Sequence, residues 1–261
     1  MKKQTSRGFT LVEIAIVLVI IGLLIGGVLR GQELVNSARI NSISSQQSAI
    51  KTAYFGFLDR FKALPGDLSA AQALLINSST APASVAGDGV ILLADSAAFF
   101  NNLSQAGFIT CASCSASTIV TPGTSGGVAT YTPPAAGLNG ANTLVNVFGQ
   151  PLAFQYNSGA NGSNGAGAIN FMSVTTTEGG APTLTTGSMI ASNLLAELDR
   201  KSDDGNPAGG SFRYTDIVAT ASTAAPFVSN TASSSCTTGV VATGFSWAVA
   251  PPSNCQGASL F

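Results

Sequence analysis

The sequence predicts an α+β fold, in which one long N-terminal helix packs on a globular head built around an antiparallel sheet. Three observations predict it. An apolar run from Phe9 to Leu29 contains only Thr10 and Glu13 as strongly polar residues. A helical stripe of apolar residues then continues to Phe61, and the C-terminal part alternates short strand-like runs with Gly-, Asn- and Ser-rich stretches.

At about 1.5 Å of rise per residue, Phe9 to Leu29 reaches roughly 30 Å, the hydrocarbon thickness of a bilayer. Lys2, Lys3 and Arg7 precede the run with no acidic residue among them. That bias keeps the N-terminus cytoplasmic and sends everything after Arg30 across the membrane. Glu13 is the anomaly in this span. A carboxylate in hydrocarbon costs a few kcal/mol unless it is partnered, so Glu13 is either a functional group or an acid that snorkels to the near interface. Gly22 with Gly26, and Gly27 with Gly31, have the small-xxx-small spacing that allows close helix approach.

Beyond Arg30 the helix is expected to continue as an amphipathic stalk. Ile40, Ile43, Ile50, Tyr54, Phe57 and Phe61 fall on one stripe, with Asn41, Ser44, Ser45, Gln46 and Lys51 largely off it. Pro65-Gly66 stops the helix, because proline cannot continue the hydrogen-bond ladder. In the head, Asp95 to Gln105 reads as a short helix capped by Gly107, with Phe99, Phe100 and Leu103 packed inward. Strands are expected over 143–148, 151–156, 169–174 and 212–218, a helix over Gly187 to Arg200, and surface loops over Thr121 to Gly127 and Asn157 to Gly167.

Composition narrows the chemistry. The 261 residues are 45% hydrophobic and only 9% charged, enough to bury a core beyond the first helix. Without Lys2, Lys3 and Arg7, the eleven basic residues fall to eight against twelve acidic ones, so no general nucleic-acid-binding face can be built. The chain has no histidine, which excludes Ser-His-Asp and Cys-His catalysis and His-based zinc sites. No nucleophile, base and metal set stands out, and an enzyme is not expected.

Gly8-Phe9-Thr10-Leu11-Val12-Glu13, behind the short basic leader and ahead of Ile14 to Gly22, closely resembles the type III signal of type IV prepilins and type II secretion pseudopilins. The resemblance implies that a prepilin peptidase cuts between Gly8 and Phe9 and that Phe9 is N-methylated. It divides the chain into a leader (1–8), a transmembrane assembly helix (9–30), an amphipathic continuation (31–62) and an exported α+β head (63–261). It also implies a structural pilin or pseudopilin subunit, inserted in the bacterial inner membrane with its head periplasmic, then built into an envelope-spanning or extracellular filament. Its partners would be lipid, an inner-membrane assembly platform and other pilin or pseudopilin subunits, with Glu13 pairing the Phe9 amine of a neighbouring subunit. A low-abundance adhesive subunit at a filament tip is the alternative. Ala63 to Leu68 and Phe99 to Ile109 extend the resemblance, whereas Arg30 stands where many major pilins carry a helix-breaking proline.

Four cysteines form two local pairs, Cys111 with Cys114 and Cys236 with Cys255. After export they meet an oxidising compartment, which favours disulfides over a four-thiolate zinc site or a thioredoxin-like pair. The second pair would enclose Trp247, similar to the disulfide-bounded terminal region of many pilins. One acidic loop remains. Asp199, Asp203, Asp204 and Asn206, on a Gly-rich segment ending at Gly210, are oxygen donors of the kind calcium takes, and heads of the resembled family are known to hold it. The same residues also read as a plain turn after a helix.

Overall fold

The computed structural model describes residues 9–69, 72, 75–76, 89, 91, 96–111, 114, 143–149, 152–156, 167–171, 174–175, 183–184, 190–214, 236–239, 244, 246–248, 255 and 257–260. The chain divides into two compact units, Met1–Asn41 and Ser42–Phe261. A single helix, α1 (Leu11–Phe61, 51 residues), supplies the described part of the first unit and the opening of the second. It starts two residues later than the apolar run. It ends where the sequence requires: Lys62 has φ +52°, Gly66 has φ +90°, and the Asp67 amide bonds the Leu64 carbonyl at 3.2 Å. The expected stripe is the buried one, with Ile40, Ile43, Ile50 and Phe57 buried and Tyr54 and Phe61 half-buried.

The second unit is an α+β head. Helix α2 (Ser96–Gln105) covers the expected short helix, while Asp95 lies outside the described residues. Gly107 closes it as anticipated. With φ +78° it bonds its amide to Ser104 O, and the Phe108 amide bonds Leu103 O, each at 3.0 Å, which is the paired C-terminal motif that needs a left-handed residue. The third helix, α3 (Ser192–Ser202), begins later and runs farther than the expected Gly187 to Arg200; Gly187 lies outside the described residues.

The main sheet has four antiparallel strands in the order β1 (Leu152–Tyr156), β2 (Gly167–Phe171), β8 (Gly257–Leu260), β5 (Phe212–Tyr214). Its register pairs Leu152 with Phe171, Ala168 with Leu260, and Phe212 with Ser259. Two smaller ribbons join β3 (Val174–Thr175) to β4 (Thr183–Leu184) and β6 (Thr237–Thr238) to β7 (Ser246–Trp247). The expected strand over 169–174 is therefore two pieces, β2 and β3, and of the expected 212–218 strand only Phe212–Tyr214 is described. The loops expected over Thr121 to Gly127 and Asn157 to Ala166 lie outside the described residues.

The expected strand over 143–148 shrinks to a single bridge residue, Val145, with the Leu144 carbonyl accepting from the Leu152 amide at 2.8 Å. The chain then turns, because Asn146 interrupts the run: its Oδ1 accepts from the Phe148 amide at 2.9 Å and its carbonyl from the Gly149 amide at 2.9 Å. An asparagine side chain that bonds the backbone two residues on replaces a ladder bond with a local one. Gly149 completes the turn at φ +75°.

The head core is aromatic. Phe99 and Phe154 stack with centroids 3.8 Å apart and planes 6° from parallel, and Tyr54 of α1 lies 6.2 and 5.7 Å from the two rings. Phe57, Phe100, Phe212, Leu68 and Leu103 are also fully buried. Burying each such side chain contributes about 1.5–3 kcal/mol.

Candidate assembly and processing site

From Phe9 to Leu29 every apolar side chain of α1 is exposed within the single chain, Leu11 at 92% and Val19 at 71%. The helix contains an 18-residue window of mean hydropathy 2.9, none of it buried. A surface this apolar is stable only against lipid or other chains. Leu11, Val12, Ala15, Ile16, Val19 and Ile20 line a shallow apolar groove along it. The first charges beyond Glu13 are Arg30 and Glu33, paired at 3.1 Å one turn apart.

Glu13 sits in the first turn of α1, and Thr10 precedes the helix. The Thr10 amide and hydroxyl both donate to Glu13 Oε2, at 2.8 and 2.9 Å, and the Glu13 amide returns a 3.3 Å bond to Thr10 Oγ1. This reciprocal pair is a capping box, which satisfies helix N–H groups that have no partner one turn back. The pattern Thr10-x-x-Glu13 is the sequence signal of this box. Phe9, 84% exposed, is the first described residue, and Gly8 lies outside the described residues with the rest of 1–8.

A family model for the prokaryotic N-terminal methylation motif matches residues 3–29. The chain carries the N-terminal signature of type IV prepilins and pseudopilins. That signature marks structural subunits rather than enzymes, substrates of prepilin peptidase that go on to polymerise. The α+β architecture, with its long N-terminal helix and small antiparallel sheet, agrees with a pilin-like fold. Comparison of the chain with curated proteins and with solved structures found no match.

The remaining predicted site residues all lie in the second unit, the head. Cys111 and Cys114 stand with Cα atoms 5.3 Å apart, Cys236 and Cys255 with theirs 5.5 Å apart, both disulfide geometry. Asn101 Nδ2 donates to Cys114 O at 2.6 Å, and Ser104 Oγ to Cys111 O at 3.3 Å, so α2 carries the first pair. The Ala248 amide bonds Cys236 O at 2.9 Å and the Cys255 amide bonds Ile190 O at 3.0 Å, which ties the second pair to β7 and to the entrance of α3.

Asp199, Asp203 and Asp204 bring carboxylate oxygens within 4.8 Å of one another. Asp199 is fully buried; its Oδ2 accepts the Trp247 indole N–H at 2.7 Å, and among the described residues its Oδ1 has no hydrogen-bond partner. Burial pushes its carboxyl up to about 6; the Trp247 indole and the Gly205 backbone N–H oppose this, and the neighbouring charges of Asp204 and Asp203 add to it. Asp203 Oδ2 is committed to the amides of Ser211 and Phe212, and Asp204 Oδ1 to that of Asn206 at 2.8 Å. Asn206 Oδ1 accepts from the Ala208 amide at 3.1 Å. The Trp247 contact, between residues far apart in sequence, had no sequence signal.

Proposed function

We propose that this chain is a filament subunit, pilin or pseudopilin, inserted in the bacterial inner membrane with its N-terminus cytoplasmic and its head periplasmic. Prepilin peptidase cuts between Gly8 and Phe9 and the Phe9 amine is methylated. The mature chains then polymerise through α1 on an inner-membrane assembly platform, and Glu13 of one subunit accepts the Phe9 ammonium of its neighbour. A buried acid and a buried ammonium each carry a large desolvation penalty alone, so docking in register relieves both. The single observation that carries this reading is a methylation motif at the head of a helix whose apolar 18-residue window has none of its residues buried in its own chain.

In the same reading, both cysteine pairs are oxidised in the exported head. The acidic loop, with Asp199 Oδ1, Asp203 and Asp204 as ligands and Asn206 shaping the turn, is the place for a hard cation such as calcium. Mass spectrometry of protein from sheared envelope filaments tests the core of the proposal. A mature chain that begins at Phe9 and carries one extra methyl group on its amine supports it, and a Gly8→Val chain should keep its leader. An N-terminus at Met1 or Lys2 in the wild-type chain defeats it. Abundance separates a shaft subunit, dominant in the sheared fraction, from a trace adhesive subunit at a tip.

A further inference from the structure

We propose that Thr10 is the positioning residue for Glu13: by holding Oε2 with two donors, it leaves Oε1 as the carboxylate atom offered to the ammonium of the incoming subunit. The inference rests on the docking role proposed above for Glu13 and adds to it the residue that sets the acid's geometry before docking.

Three observations carry it. All hydrogen bonds of the Glu13 carboxylate among the described residues go through Oε2, from the Thr10 amide and hydroxyl. The return bond from the Glu13 amide to Thr10 Oγ1 fixes the Thr10 rotamer, so the two side chains orient each other. No lysine or arginine stands between Phe9 and Arg30, so the cations left to pair with Glu13 in the span are the Phe9 ammonium groups of the mature chains. In hydrocarbon, a carboxylate with two donors is far less costly than a bare one, which lets the subunit wait in the membrane with the acid in place. Glutamate is also a rotamer-rich side chain. Freezing it beforehand removes its ordering cost from the docking step.

The test uses the full chain, processed in cells, as wild type and as Thr10→Val, Thr10→Ser and Glu13→Ala. One arm measures amide hydrogen exchange at positions 10 and 13 for the mature chain in detergent micelles. The other measures cleavage after Gly8 and the fraction of each chain found in sheared filaments. We expect Glu13→Ala to speed exchange of the Thr10 amide, and Thr10→Val to speed that of Glu13, by about fivefold for the loss of one cap. Thr10→Val should be cleaved normally yet enter filaments at least fivefold less, and Thr10→Ser, which keeps the hydroxyl, should restore entry. Wild-type exchange and wild-type incorporation in Thr10→Val would overturn the inference and leave the docking role of Glu13 standing. A wild-type chain that enters no filament would overturn the docking role itself, and the exchange arm would still report whether Thr10 holds Glu13.

Discussion

Ser96 Oγ accepts a hydrogen bond from the Phe154 amide at 2.9 Å and donates one to the Phe154 carbonyl at 2.6 Å, both buried. Phe154 lies on β1, an outer strand of the main sheet as described, where the backbone groups facing away from β2 must find partners outside the sheet's ladder. One hydroxyl at the start of α2 thus satisfies both groups and holds the strand while Phe99 of the same helix stacks on Phe154.

Ser96→Ala should therefore destabilise the head by about 2–3 kcal/mol, because it strands a buried donor and a buried acceptor together. Chemical denaturation should show a lower midpoint with an unchanged slope. A loss below about 0.5 kcal/mol would mean that water replaces the hydroxyl.

The long helix, its stop and the C-terminal cap of α2 were legible because each rests on local chemistry: the apolar run to Leu29, the stripe through Phe57, Pro65-Gly66 and Gly107. The head was less so. Asn146 turns a run that reads as a strand, since its own side chain competes with a ladder that only tertiary pairing could supply. Ser96 and Trp247 gave no signal at all, because the atoms they satisfy, on Phe154 and Asp199, lie far away in sequence and meet them only after folding.

The two cysteine pairs should contribute unequally. Cys236 and Cys255 are 19 residues apart and Cys111 and Cys114 only 3, so the chain-entropy estimate gives roughly 3 against roughly 2 kcal/mol. Replacing each pair with alanines and measuring denaturation of the exported head should reproduce that order, and non-reducing peptide mapping should recover both links. Four free thiols with stoichiometric zinc would contradict both statements.

Asp199 predicts an unusual pH dependence. Its carboxyl is raised from 3.8 to about 6 in the folded head, so the folded state binds the proton more tightly than the unfolded chain. In a chelating buffer, acidification from pH 7 to 4.5 should then stabilise the head by up to about 2 kcal/mol, and that gain should be lost as pH rises through 6. Asp199→Asn should flatten this response. A head that loses stability steadily from pH 7 to 4.5 would contradict it.

Trp247→Phe removes the indole donor to Asp199 Oδ2, the one side-chain donor the buried carboxylate has among the described residues. The expected cost at pH 7 is about 2 kcal/mol, shrinking toward pH 5 as the acid takes up its proton. Thermal melts at the two pH values check both parts, and an equal loss at each would assign the effect to packing of the ring alone.

The central claim is that Glu13 governs assembly and not folding, and incorporation of Glu13→Leu into filaments tests it most directly. The head of this variant should fold normally, since Glu13 and the head core share no described hydrogen bond, and the chain should reach normal membrane levels with cleavage after Gly8 intact. The neighbour's ammonium would lose its partner at docking, a cost of several kcal/mol, so the sheared-filament fraction should fall by orders of magnitude relative to wild type. Wild-type incorporation of Glu13→Leu would show that the acid merely snorkels to the interface, and the account would fail.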